Sequence, residues 1–401
     1  MQDTPSEPLT VLECLLLPQG QSALETAATL VPTEDKFLQH FQMLRRQFDD
    51  LLAKAALGMA ILRTRGATKF THAGHMYFEK TALEQASSEA VATYRARRYA
   101  DIPRVADWCA SIGGDTIALQ QVTNVVAIDS DPYRLRCAEL NSAVYPRHGG
   151  VEFLNEDLFQ LSPAKYIFVD PSRRSGSKRT VKGEEYQPKL SEIVTFAAQS
   201  QGLGIKVAPA IPWVELEQYR EAEIEMISLH GELKETMLWF HDLKSANLRA
   251  TVLPGPHHLE AEQAEDAPVT SEIHEYLYDP DPAIVRSQLV GNLANQLDGE
   301  QFHPAIAYFT SNECRPTPFA TVFRVIAHFP YHLKRLRAWL REHNVGRVTI
   351  MKRGSKLDAN ELMPQLKLSG TAHYWLFLTQ TEISQHIIVG DLLHRGLESV
   401  Q

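Results

Sequence analysis

Cysteine is scarce and scattered: four in 401 residues, Cys14, Cys109, Cys137 and Cys314, with no CxxC pair. That excludes a disulfide-built scaffold and a cysteine-rich zinc site, and suits a reducing compartment, so a cytoplasmic location is expected. Long apolar runs are also missing. The best, residues 51–62, is short and carries Lys54, well below the roughly 18 residues a membrane span needs, so no membrane partner is expected. The acidic and polar first eight residues lack a basic stretch leading into an apolar core, so no secretory leader is expected. Internal repeats are absent. Positive charge is in deficit, 40 Lys+Arg against 49 Asp+Glu for a net −9. A general polyanion binder is usually basic, so any nucleic-acid surface must be local. The scattered histidines lack metal-ligand spacing, and no metal is expected.

What is present is ordinary globular material, 44% hydrophobic and 22% charged, in a chain long enough for two or three domains. From about residue 32 to 98 the pattern is helical: Phe37, Phe41, Leu44, Phe48, Leu51 and Leu52 recur at spacings of three and four. The texture changes at Arg104. Short apolar runs at 105–108, 124–128, 151–154, 166–169 and 204–207 alternate with segments fit for helices at 116–122, 132–145 and 190–201. Such alternation predicts an α/β fold with an open, mostly parallel, doubly wound sheet. Two further runs, 236–240 and 249–253, are close enough for an antiparallel closing pair. Residues 257–272 read as an acidic surface connector. After a helical stretch at 281–297, strands at 305–310, 320–329, 345–351 and 372–380 with helices at 331–343 and 360–365 suggest a small α+β domain of ferredoxin-like type. The expected divisions are a helical region 1–98, a ligand-binding sheet domain 99–256, a linker 257–272 and an α+β domain 273–401.

Four consecutive strand ends each carry an acid. In Val105-Ala-Asp107-Trp-Cys109-Ala-Ser111-Ile-Gly113-Gly114-Asp115-Thr116, a strand runs through a small-residue loop into a helix start. Glycine there allows close backbone approach to a ligand. The paired glycines alone also fit a tight turn, and a GxGxxG dinucleotide fingerprint is missing. Asp129 ends the next strand, 22 residues after Asp107, where many nucleoside-binding folds place the ribose-diol receptor. Asp157, beside Leu158 and Phe159, is placed for an adenine amine, though a helix-capping role competes. Asp170 closes the strand 166–169 and leads into Pro171-Ser172-Arg173-Arg174. In such folds ligands bind along this sheet edge.

At these residues the chain resembles the class I S-adenosylmethionine-dependent methyltransferases, over about residues 104–254. DWCASIGGDTIAL followed by VVAIDSDPYRLRCAELNSAVY is most similar to the RNA cap trimethylguanosine synthase branch. The upstream ALEQASSEAVATYRARR and the C-terminal domain resemble bacterial methyltransferases carrying a THUMP-like domain, and THUMP domains in related enzymes bind RNA. The resemblance implies a Rossmann-like sheet and S-adenosylmethionine as cofactor. It implies cofactor contacts at Asp107, Cys109, Ser111, Gly113, Gly114, Asp129 and Asp157, and acceptor contacts at Asp170, Pro171, Arg173 and Arg174. Methyl transfer to RNA follows as its expected activity, a guanine-type exocyclic amine being favoured.

One departure matters. Amine methyltransferases commonly carry a second proline and an aromatic ring after the fourth acid, whereas this chain has Ser172 and Arg173. A guanidinium plane can stack on a base or hold a phosphate, while paired arginines can also be surface ion pairs. A cofactor-binding but catalytically silent RNA-binding protein is therefore an alternative, as is a methyltransferase acting on a small molecule or protein. Residues 175–189, with Lys178, Arg179, Lys182 and Lys189, read as a basic loop over the cleft. The C-terminal run Lys334, Arg335, Arg337, Arg341 and the cluster Lys352, Arg353, Lys356 permit an RNA surface or simply a solvated face.

Overall fold

The helical periodicity begins earlier than residue 32. In the computed structural model, which describes residues 7–175, 178–381 and 384–396 and no side chains of 174–179, α1 (Glu7–Leu16) and α2 (Pro18–Thr29) come first. Pro18 sits in the first turn of α2, where its missing N–H costs nothing. Then follow α3 (Phe37–Leu44), α4 (Asp50–Gly66), α5 (Lys80–Gln85) and α6 (Glu89–Ala96). Asp49 caps α4 by accepting from Leu52 N at 2.9 Å, and Arg63 and Arg65 complement the dipole at its other end. Replacing Asp49 by alanine is expected to cost about 1 kcal/mol, read as a lowered urea midpoint at unchanged m-value.

The chain divides into two compact units. One comprises residues up to Tyr219 together with Leu238–Lys244, the other Arg220–Met237 and the residues from Ser245 on. In the first, the helices are not a separate body. Leu12, Ala53, Phe70, Met76 and Phe78 share one core with Ile112, Ile117 and Cys137 of the sheet region. Buried Asn141 locks the two parts, accepting from Tyr77 N at 2.7 Å and donating to the Tyr77 and Ile112 carbonyls at 2.9 Å.

The sheet region runs β1 (Arg104–Trp108), α7 (Gly114–Leu119), β2 (Asn124–Ile128), α8 (Pro132–Val144), β3 (Val151–Leu154) and β4 (Tyr166–Val169). A short hairpin follows, β5 (Arg174–Ser175) and β6 (Lys178–Arg179), then α9 (Leu190–Phe196), β7 (Gly202–Val207) and α10 (Trp213–Leu216). The order β7-β4-β1-β2-β3 is parallel throughout. Strand succession reverses between β1 and β4, a topological switch point that opens a crevice at the strands' C-terminal ends.

In the second unit, β8 (Glu223–Leu229) and β9 (Glu232–His241) are joined by His230 and Gly231, at φ 52° and 76°. Two left-handed residues match the twist of a tight hairpin. The last four residues of β9, Leu238–His241, belong to the first unit, beside β7. β10 (Leu248–Leu253) pairs in parallel with β8 and antiparallel with β11 (His257–Ala261). The expected antiparallel pair of 236–240 with 249–253 is thus corrected: an unanticipated strand lies between them. The segment read as a connector begins with a strand.

The C-terminal part continues with β12 (Tyr276–Pro280), α11 (Pro282–Arg286), α12 (Val290–Gln296), β13 (Glu300–Gln301), β14 (Phe309–Ser311) and β15 (Ala320–Pro330). It ends with α13 (Leu333–Glu342), β16 (Val345–Lys352), α14 (Ala359–Gln365), β17 (Ala372–Gln380) and β18 (Gln385–His394). The sheet order is β13-β14-β12-β15-β18-β17-β16. This is an α+β domain, but β15 to β18 connect as β-α-β-α-β-β, not in the β-α-β-β-α-β order of a ferredoxin-like fold. The reason is α14, which returns the chain so that β17 lies parallel to β16. Leu336 and Leu340 of α13 and Leu362 of α14 pack with Leu376, Leu378, Ile387 and Val389 in one core.

The basic clusters here differ in kind. Lys334, Arg335 and Arg341 are exposed on α13, whereas Arg353 faces inward, paired with Asp279 at 2.8 Å and set over the Tyr308 ring at 5.3 Å. Arg353 therefore leaves the second cluster for a structural role.

Candidate active site

The end of β1 shows how sequence and backbone build a ligand cradle. Cys109 and Ser111 adopt φ 63° and 51°, left-handed values that non-glycine residues rarely accept and that cluster at functional loops. Gly113 has φ 83°, and a Cβ there would lie 2.9 Å from Ala138 Cα. Only glycine fits, so Gly113→Ala is expected to destabilise by about 2–4 kcal/mol from strain and overpacking, read by thermal denaturation. Gly114, Asp115 and the Cys109–Ile112 turn line a cleft of about 670 Å³, within the usual size of small-molecule sites. Asp115 is held by the buried guanidinium of Arg95, which lies over the Phe168 ring at 5.1 Å.

Asp107 and Gly113 do not line the cleft. Asp107 is 1% exposed and accepts from the Thr116 hydroxyl beneath the loop. Burial first, then the Asp115 charge, push its carboxyl well above the ordinary carboxylate range. The folded state therefore holds this proton to higher pH than the unfolded chain. Stability is greatest below the unfolded value near 3.8 and falls as pH rises toward the raised folded value. Asp107→Asn removes that penalty, so its melting temperature relative to the parent is expected to rise with pH between 4 and 7.

Asp129 is placed as the sequence predicts, lining the cleft at the end of β2. Its Oδ2 accepts from Ser111 N at 2.8 Å and its Oδ1 from Asp131 N at 2.9 Å, which fixes the carboxylate plane. Burial raises its pKa while these two N–H groups lower it. Asp157 lines the same cleft with Leu158 and Phe159, and its Oδ1 caps the turn by accepting from Phe159 N at 3.0 Å. Phe159 is part exposed there, packed edge-on to Phe196 at 5.2 Å.

Across the cleft, Asp170 and Pro171 follow β4. Lys206 on β7, 3% exposed, pairs with Asp170 Oδ2 at 2.5 Å. Sequence reading missed Lys206, although a lone lysine inside the wholly buried strand GLGIKV signals a required counter-ion. Thr81, Ala82 and Gln85 of α5 were missed as well and form another wall. Ser172 and Gln187 exchange backbone hydrogen bonds of 2.9 Å, closing the base of the β5–β6 hairpin. Arg173 lines the cleft, while the Arg174 side chain lies outside the described residues, as do those of Lys178 and Arg179. Lys182 and Lys189 pair with Glu185 and Glu192, so part of the basic loop is neutralised locally.

Residues 320–391 match the family described as THUMP domain-like, and residues 8–66 match a domain of unknown function, DUF8688. The chain is 29% identical over 348 residues to the uncharacterized S-adenosylmethionine-dependent methyltransferase MT3122 of Mycobacterium tuberculosis (strain CDC 1551 / Oshkosh), covering 84% of this chain and 95% of that one. It is similar in fold to the crystal structure of a protein from Porphyromonas gingivalis W83 assigned as a methyltransferase. The TM-score there is 0.77 at 19% identity, over 97% of this chain and 99% of the other. Among the described residues no helix is long and apolar enough to cross a membrane. Fold, cleft and likenesses together support a class I S-adenosylmethionine-dependent methyltransferase carrying a THUMP-like domain.

Proposed function

We propose that this chain transfers a methyl group from S-adenosylmethionine to an exocyclic amine of an RNA base, a guanine-type amine being the favoured acceptor. The observation that carries the reading is the pairing of two carboxylates across one cleft: Asp129, oriented by two backbone N–H groups, and Asp170, oriented by Lys206. The residues present fit the cofactor. Asp129 would accept the ribose hydroxyls, Asp157 the adenine amine beside Phe159, and the Cys109–Gly114 turn would hug the amino-acid portion. The trimethylguanosine synthase resemblance favours the guanine amine, and the THUMP-like domain favours RNA.

The bound cofactor supplies an electrophilic methyl group. The protein's share is alignment and exclusion of water, which provide most of the acceleration in such a transfer. Lys206 engages Oδ2 of Asp170, and no described residue donates to Oδ1. That oxygen and the Pro171 carbonyl would accept the hydrogens of the acceptor amine, aiming its lone pair at the methyl group. A strong base is unnecessary, since the amine sheds its proton after transfer.

A silent, cofactor-binding RNA protein is the second reading, motivated by Ser172 and Arg173 where amine methyltransferases carry proline and an aromatic ring. Incubating the protein with labelled S-adenosylmethionine and total RNA from a strain lacking it separates the two. Incorporation, with a methylated nucleoside identified by mass spectrometry, is expected. Cofactor binding without incorporation would favour the silent protein.

A further inference from the structure

Arg173 is 7% exposed and lines the cleft. A guanidinium stays charged at any working pH, and burying one without a counter-ion is strongly unfavourable. No described carboxylate forms an ion pair with it. Among the acids lining the same cleft, Asp170 pairs with Lys206, Asp115 with Arg95, Asp129 accepts from two backbone N–H groups and Asp157 caps a turn, and neither these nor Glu156 form an ion pair with Arg173. The adjoining hairpin offers no acid either, since residues 174–179 are Arg, Ser, Gly, Ser, Lys and Arg.

The backbone around this cation is fixed. The Arg173 carbonyl accepts from Thr180 N at 2.9 Å, and the Ser172–Gln187 exchange pins the loop on its other side. Burial raises the Tyr186 pKa, while the hydrogen bond from Ala208 N and then the Arg173 charge lower it. Tyr186 is itself anchored, its hydroxyl accepting from Ala208 N at 3.0 Å. A buried guanidinium on a fixed backbone, lining the cleft with no carboxylate partner among the described residues, is the chemistry of an oxyanion receptor, because the planar fork matches phosphate or carboxylate oxygens in pairs.

We propose that Arg173 receives a phosphate of the methyl acceptor, so that the substrate is anchored by its backbone three residues from the carboxylate that orients its amine. The proposal rests on the methyl-transfer reading above. It also gives the Ser172-Arg173 departure a purpose: the position that stacks on a base in amine methyltransferases here grips the adjoining phosphate. The cofactor's own carboxylate is the other source of an oxyanion.

Three measurements on the full chain and its Arg173→Gln and Arg173→Lys variants separate these outcomes. Inorganic phosphate in the millimolar range is expected to raise the melting temperature of the parent, to leave Arg173→Gln unshifted and to shift Arg173→Lys partially. S-adenosylhomocysteine affinity by calorimetry is expected to stay within about twofold of the parent. With RNA from the null strain, KM is expected to rise at least about tenfold in Arg173→Gln, and the slope of log affinity against log salt to shrink by about 0.7, one contact on a single strand. Equal phosphate shifts in all three proteins would overturn the proposal. A tenfold loss of S-adenosylhomocysteine affinity would assign the cation to the cofactor and overturn it too. If the parent methylates no RNA while the phosphate shift still depends on Arg173, the RNA reading fails and the receptor stands. Should Arg173→Gln not fold, the weakened shift of Arg173→Lys, which keeps the charge but loses the fork, decides the same question.

Discussion

Asp129→Ala is expected to abolish cofactor binding in calorimetry while leaving the fold intact. The carboxylate sits at the end of β2 with both oxygens oriented by backbone N–H groups, so its remaining lone pairs point at fixed positions in the cleft. Two hydroxyls of a ribose would each donate to an ionised acceptor, and such bonds contribute about 1.5–3 kcal/mol each. Losing both weakens binding by about 3–6 kcal/mol, two to four orders of magnitude in Kd. The fold should survive because the donors left behind, Ser111 N and Asp131 N, are only part-buried and Ser111 lines the open cleft. The pH dependence has a defined sign: the burial-raised pKa means the acceptor protonates sooner than a free aspartate as pH falls. Affinity should therefore weaken toward acid and hold steady above neutrality. Unchanged affinity in Asp129→Ala would remove the ribose assignment.

The second large effect is at Asp170. Asp170→Ala should cut kcat by about a hundredfold or more, since misplacing an acceptor by an ångström already costs that much, while S-adenosylhomocysteine affinity is kept. The same change strands the ammonium of Lys206 in a buried strand, and breaking a buried pair from one side costs about 3–5 kcal/mol. A loss of activity could then be a loss of protein. The double variant Asp170→Ala, Lys206→Met resolves this: stability should return and activity should not. Recovery of both would show that the carboxylate serves only to neutralise the lysine.

Much of this site was legible in the chain because it is local. β2 and β4 fall on the predicted residues 124–128 and 166–169, and the acids that follow, Asp129 and Asp170, reach the cleft. Strand ends and their following loops are set by nearest neighbours, which sequence displays. What was hidden is tertiary. β8 reads as Glu-Ile-Glu-Met-Ile-Ser-Leu, too acidic for a buried strand, yet Glu223 and Glu225 are buried because Arg249, Ser245 and Thr251 satisfy them. Those partners lie 22 to 26 residues away, and no periodicity announces them. Missing β8 displaced the expected closing pair and with it the topology beyond β7. Lys206 was hidden for the same reason, its partner being 36 residues back in β4's loop. Asp107 shows the converse: its position was read correctly from the motif, but whether an acid at a strand end points into a cleft or under a loop depends on the Thr116 hydroxyl beneath it.

A crystal structure of the full chain with S-adenosylhomocysteine bears most directly on the central claim. The ribose hydroxyls should lie on Asp129, the adenine between Asp157 and Phe159, and the sulfur should face Asp170 across open space wide enough for a base. Density for the ligand elsewhere, or a cleft that stays empty at saturating ligand, would contradict it.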